Sequence, residues 1–186
     1  MPVADCDPLW RIALLRAVNL GRHNKAPAVE LRALMTDEGL IDGETLLASG
    51  NMIFRDERAP SVLEPILERA LHKRLQLTTA VIVREAADWL TLIDANPFRD
   101  LGVADPSRLV LFVLKGMPRR DGFQRLSSLI RGHEQVHLGD RAVYLTYPDG
   151  IGTSKLTAGV IDGALGVSGT GRNWNTVLKL ASLTSR

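Results

Sequence analysis

"APSVLEPILERALHKRLQLTTAVIVR", Ala59–Arg84, decides how the first half of this chain folds. Through Leu75 it reads as a helix that tolerates Pro65 in its first turn, where a missing N–H does little harm. "TTAVIVR" then reads as a strand. Upstream, "WRIALLRAVN" from Trp10 is almost continuously apolar at its centre, the mark of a buried strand, and the loop "LGRHNKAP" follows it. Pro27 opens a helix in which Val29, Leu31, Leu34 and Met35 form an apolar stripe and Gly39 is the stop. "ETLLA" and "NMIFR" are strand-length runs, and "SGN" between them supplies turn chemistry. The order is strand, helix, strand, strand, helix, strand. That is the split βαβ arrangement of a ferredoxin-like half, placed at residues 9–84.

Residues 85–186 repeat the pattern in part. "EAADWLTLIDAN" reads as a helix stopped by Pro97, "RLVLFVL" as a strand, "GFQRLSSLIR" as a helix, and "EQVHL" with "AVYLTY" as a hairpin around "GD". "TSKLTAGVIDGALG" is helical, with Leu156, Val160, Ile161, Ala164 and Leu165 on one face and Gly166 at its end. Trp174, Val177, Leu178 and Ala181 give a final helix its apolar stripe, with Trp174 as packing anchor. The expectation is an α+β chain of two ferredoxin-like, or partial ferredoxin-like, halves with a C-terminal helix. A loose N-terminus at residues 1–8 precedes them, and the halves pack as one compact unit.

Composition narrows the class. An apolar share of 45% and a charged share of 24% are ordinary globular values and exclude disorder over most of the chain. Cys6 is the lone cysteine, which rules out an internal disulfide framework and fits a reducing compartment. The N-terminus "MPVADCDP" lacks a basic start and apolar run, and "LVLFVL" is far too short to cross a bilayer. A cytoplasmic protein with no membrane association is expected. Acids and bases balance up to Arg84, whereas from Gly150 onward Lys155, Arg172, Lys179 and Arg186 face Asp162 alone.

Five ordered segments, "ALLRAVNLGRHNKAPAVELRAL", "ASGNMIF", "VIVREAADWLTLIDANPF", "YPDGIGTSKLT" and "GTGRNWNTVLKL", together resemble the bacterial domain of unknown function 1697 family. The resemblance covers nearly the whole chain beyond the first residues. It implies an α+β protein of two ferredoxin-like or partial halves, and it brings no activity with it. The family pattern commonly has glycine where Ala17 and Arg22 stand and glutamine where Ala48 stands. A site needing a close backbone approach at Ala17, or an amide at Ala48, would be altered here.

The family-like polar positions are Arg16 and Asn19 after the first strand, Asn24 and Lys25 in its loop, Ser49 and Asn51 in the hairpin, Ser154 and Lys155, and Arg172, Asn173 and Asn175. They fall on loops or element ends, where scaffolds present functional groups. Ser154 with Lys155, and Arg172 with Asn173, each begin a helix in this reading, so free backbone N–H groups and the positive end of a dipole accompany a cation. That combination suits phosphate or carboxylate. The function expected is binding of a small anionic or phosphorylated ligand in a cleft between the halves. Lys155 and Arg172 are the charge partners, and Asn19, Asn51 and Asn173 the hydrogen-bonding groups. Each residue also has a purely structural reading: Thr153 or Ser154 and Thr170 or Asn173 as caps, Asn51 as a turn residue.

Familiar catalytic signatures are absent. "GIGTSKLT" lacks the spacing of a triphosphate loop, and neither a GxGxxG fingerprint nor a GxSxG elbow occurs. His133 and His137 lie on a strand in this reading, about 13 Å apart at 3.3 Å per residue, too far to share a metal. No metal and no cofactor are expected. An aromatic share of 5% and an "NMIFR" without the RNP1 spacing disfavour an RNA-recognition sheet. Two alternatives stay open: a nucleic-acid-binding protein using a basic groove of Arg16, Lys25, Lys155 and Arg172, and an enzyme with a site formed across the two halves. No catalytic residue or oligomeric state is assigned.

Overall fold

The computed structural model describes residues 9–18 and 24–185. They divide into two units, one of residues up to 89 together with 180–185, and one of residues 90–179.

The first unit contains β1 (Trp10–Leu15), α1 (Ala28–Asp37), β2 (Ile41–Leu46), β3 (Asn51–Arg55), α2 (Pro60–Leu75) and β4 (Val81–Glu85). Its strands form an antiparallel sheet in the order β2-β3-β1-β4. Strand side chains alternate between faces. Ala13, Leu15, Met52, Phe54, Val81 and Val83 therefore meet Leu31, Leu34 and Met35 of α1 and Leu63, Leu67 and Leu71 of α2 in one core. Each such leucine contributes about 2 kcal/mol by leaving water. On the opposite face Ile12, Leu14, Ile53 and Ile82 are also buried, which is why the centres of β1, β3 and β4 carry consecutive apolar residues. The C-terminus of α1 closes on Gly39, whose φ of +71° is one that glycine adopts without strain.

One local expectation is corrected in α2. The helix begins at Pro60, so the exposed Pro65 lies in its second turn rather than its first. Only a single backbone donor is lost there, and the buried stripe of Leu63, Leu67, Ala70 and Leu71 continues past it.

The connection from the first unit runs through α3 (Ala86–Asp94), and the second unit continues with α4 (Arg99–Ala104), a 3-10 turn (Pro106–Arg108), β5 (Leu109–Leu114), α5 (Gly122–Ser128), β6 (Gln135–Gly139), β7 (Ala142–Thr146), α6 (Ala158–Leu165) and β8 (Gly169–Asn173). The last helix is α7 (Trp174–Thr184). This sheet is antiparallel in the order β6-β7-β5-β8. Val110, Phe112, Leu114, Val143 and Leu145 pack with Leu126 of α5 and with Ile161, Ala164 and Leu165 of α6.

Two further expectations change here. "GTGRN" is a strand, so Arg172 lies within β8 rather than at a helix start, and Asn173 ends that strand immediately before the last helix. A strand with two glycines carries little local strand preference. Its pairing depends on close approach: a Cβ on Gly169 would lie 2.3 Å from Phe112 Cε1 and 2.7 Å from the Val113 carbonyl oxygen. The helix α6 starts at Ala158 with Thr157 as cap, the Thr157 hydroxyl accepting from the Val160 N–H at 3.4 Å. Ser154 and Lys155 therefore sit in the preceding loop.

With β8 in place, each sheet shows the βαββαβ order and a matching strand sequence. The chain is an α+β protein of two four-stranded antiparallel sheets with a C-terminal helix, consistent with two ferredoxin-like halves. Among the described residues no helix is long and apolar enough to cross a membrane.

Candidate functional site

The loop between β7 and α6 is shaped by its turn residues. Gly150, at φ +92°, donates its N–H to the Tyr147 carbonyl at 2.9 Å, and the Thr153 hydroxyl donates to the Gly150 carbonyl at 2.9 Å. These bonds hold Asp149, Ser154 and Lys155 beside the chain entering β6. A cavity of about 330 Å³ results, lined by Arg131, Glu134, Tyr147, Asp149, Ser154 and Lys155, with Gly132, Gly150 and Thr153 completing the wall.

The charges of this cavity are unequally engaged. Ser154 donates its hydroxyl to Glu134 Oε1 and accepts from the Leu156 N–H at 3.1 Å, while the Gly132 N–H donates to Glu134 Oε2 at 3.0 Å. The Ser154 hydrogen bond is the main reason the Glu134 carboxyl lies below the usual carboxylate range. His133 Nδ1 lies 2.9 Å from Asp149 Oδ2, and that hydrogen bond raises the imidazole pKa. Burial, with the Glu134 charge adding to it, pushes the Tyr147 phenol up to about 12. Its hydroxyl donates to the Leu156 carbonyl at 3.3 Å, so Tyr147 serves as a neutral wall. The side chains of Arg131 and Lys155 make no hydrogen bond or ion pair with any described residue, Lys155 being bonded only through its carbonyl, which accepts from the Thr157 N–H at 2.9 Å.

A larger, shallower groove of about 850 Å³ runs beside α2 past Pro65, Ile66, Arg69, Lys73 and Thr78. It contains none of the polar positions singled out from the sequence. The smaller cavity contains two, Ser154 and Lys155.

The other positions serve local structure or lie apart from this cavity. Asn51 is fully buried and donates to the Leu46 carbonyl at 2.8 Å and the Ser49 hydroxyl at 2.9 Å, bracing the β2–β3 turn. Arg16 is half-buried, and its carbonyl accepts from the Thr79 hydroxyl. Lys25 is exposed ahead of α1. Asn19 lies outside the described residues. Arg172 is 6% exposed, and its Nη1 donates to the Thr170 hydroxyl at 2.8 Å and the Gly171 carbonyl at 2.9 Å. Burial lowers its pKa to about 10, which still leaves it charged at neutral pH. Asn173 Oδ1 accepts from the Thr176 N–H at 3.0 Å and so caps α7, while Asn175 is exposed on that helix. Trp174 is buried with its ring centroid 6.4 Å from that of Tyr144.

Sequence reading missed Arg131, Glu134 and Asp149. The available signal was the Gly-Ile-Gly loop closing back toward a charged "RGHE" at the start of a hairpin, but no fixed spacing marks such a pairing. Among the described residues no group of three or more His, Cys, Asp or Glu side chains is placed to hold a metal ion.

Two matched antiparallel sheets, each backed by its own helices, define the class as a two-unit α+β protein. The chain belongs to the family described as "Protein of unknown function (DUF1697)", which it matches over residues 10–144. Arg131, His133 and Glu134 fall within that span, and Asp149, Ser154 and Lys155 beyond it. The chain is also similar in structure to the conserved bacterial protein SP0830 from Streptococcus pneumoniae, with a TM-score of 0.78 at 20% identity, covering 95% of this chain and 99% of that one. At that identity the likeness shows a shared fold. No curated protein matches the sequence.

Proposed function

We propose that this protein binds a small anionic ligand, phosphate-bearing or carboxylate-bearing, in the cavity between the approach to β6 and the β7–α6 loop. The observation that carries the reading is the imbalance of side-chain partners: both Glu134 oxygens and one Asp149 side-chain oxygen accept hydrogen bonds, whereas the Arg131 and Lys155 side chains make none with described residues. Unengaged cations in a concave site favour an anion. Ser154 is the hydroxyl that holds Glu134 back from the ligand. Arg172 is left out of the ligand contacts, because its guanidinium is buried on β8 and bonded locally. A cytoplasmic setting, suited to a chain with Cys6 as its single cysteine, accompanies this proposal.

The test is a thermal-shift titration at fixed ionic strength with phosphate and pyrophosphate on wild type, Arg131→Ala and Lys155→Ala. A ligand at a hundred times its dissociation constant stabilises the native state by about 2.7 kcal/mol. The expected result is a saturable shift that falls in both variants while their unliganded stability is unchanged. A saturable shift that neither variant alters would remove this cavity as the site, and no saturable shift would remove anion binding.

A further inference from the structure

Resting on the anion reading, we infer that the ligand of this cavity is zwitterionic, a small molecule carrying an ammonium group a few bonds from its phosphate or carboxylate. The cavity walls carry two charges of each sign, Arg131 and Lys155 against Glu134 and Asp149. A bare anion drawn to the cations must also approach both carboxylates, which cancel much of the attraction. A ligand with its own cation converts that opposition into a second contact.

Asp149 is the side chain positioned to make it. Its Oδ2 meets His133, but Oδ1 accepts no hydrogen bond from a described residue, and an ionised carboxylate has room for several donors. Glu134 has less capacity left for the task, because Ser154 and the Gly132 N–H already donate to one of its oxygens each, whereas Asp149 Oδ1 receives no donor from a described residue. Size sets the other limit. A volume of about 330 Å³ lies at the low end for small-molecule sites and corresponds to roughly ten water volumes. That accommodates an amino-alcohol phosphate or an amino acid more readily than a nucleotide.

His133 makes the preference depend on pH. The groups facing it are Asp149 at 2.9 Å and the nearby Glu134 charge, with Arg131 and Lys155 on the cavity wall. Below its raised pKa the imidazolium neutralises Asp149; above it the carboxylate offers its full charge to the ligand's ammonium. The gain from the ammonium therefore grows as pH rises through that value.

Titration calorimetry on the full chain compares matched pairs: O-phosphoethanolamine against ethyl phosphate, and γ-aminobutyrate against butyrate. The amine-bearing member of at least one pair should bind about tenfold tighter at neutral pH, and the pair that shows it identifies the anionic group. Asp149→Asn should erase that ratio without weakening the amine-free partner, and Lys155→Ala should weaken both members. Both side chains are exposed, so the fold survives the changes. Equal affinities within both pairs, or a ratio that persists in Asp149→Asn, would overturn the zwitterion while leaving the anion site intact. Absence of binding by every compound would remove both.

Discussion

In the first unit the outward N–H groups of Val81 and Val83 on β4 each donate to a carboxylate of α2, Glu68 Oε1 and Glu64 Oε1, both at 3.0 Å. In the second unit the outward N–H of Gly169 on β8 donates to Asp162 Oδ1 of α6 at 2.9 Å. The same topology sets the second helix of each βαββαβ motif beside the last strand, and acidic residues on that helix occupy an edge that would otherwise invite another strand. The units differ in what remains. In the first, Asn51 is sealed into the β2–β3 turn, and Arg74 bridges Glu30 and Asp37 at 2.7 Å each. In the second, the loop after β7 stays open around cations with no partner among the described residues. One motif spends these polar side chains on closure, and the other leaves two cationic side chains unengaged by described residues.

The comparison breaks most visibly at its glycines. Gly169→Ala would press a methyl onto the Phe112 ring and the Val113 carbonyl, and backbone cannot yield as a side chain does. Gly50→Ala would place its Cβ 2.5 Å from Val18 Cγ2 at a φ of +70°, where the neighbours are side chains able to shift. Losses of about 3 kcal/mol for Gly169→Ala and about 2 kcal/mol for Gly50→Ala are expected, read from urea midpoints. An equal or reversed order would mean that β8 is held less tightly than its contacts imply.

A smaller effect sharpens the edge comparison. Replacing both Glu64 and Glu68 by Ala should cost about 2 kcal/mol and Asp162→Ala about 1 kcal/mol, since each removes a charged acceptor from a partly buried strand amide. Hydrogen exchange should accelerate at Val81 and Val83 in the first variant and at Gly169 in the second. Unchanged exchange at those amides would show that the carboxylates only sit near the edges.

The smallest effect is in pH. Asp56, 8% exposed, is held below its ordinary value of 3.8 chiefly by the hydrogen bond from Arg58. Its contribution is full above that ordinary value and is lost as pH falls through the lower folded one. His133 in the second unit is raised above 6.5 by Asp149, so its contribution is full below 6.5 and is lost as pH rises through the folded value. Stability curves from about pH 3 to 9 should show Asp56→Asn flattening part of the acid limb, with depressed Glu134, Asp105 and Asp121 supplying the rest. His133→Ala should remove only a slight decline near and above neutrality. A change in the opposite limb for either variant would contradict the assignments.

Much of the fold was legible because its evidence is local. The centres of β1, β3, β4, β5 and β7 are buried on both faces and so carry short consecutive apolar runs, and Leu63, Leu67 and Leu71 repeat at helical spacing. The expected glycine at Ala17 also has a physical counterpart, since Ala17 adopts a φ of +50° that glycine takes without penalty. The candidate site was half legible. Ser154 and Lys155 stood out as polar loop residues, but Asn51, Asn173 and Arg172 drew equal notice and have roles in a turn, a cap and a buried strand.

The sequence by itself determined the α+β class, the first βαββαβ motif and most strands of the second, because burial writes a periodic pattern into neighbouring residues. Tertiary structure alone decided β8, whose five residues "GTGRN" become a strand only where Phe112 leaves room for Gly169. It also decided the cavity, since Glu134 and Ser154 are 20 residues apart and meet only when the β6–β7 hairpin turns the chain back. Periodicity reports which face of an element is buried; which charges become neighbours depends on where the chain returns.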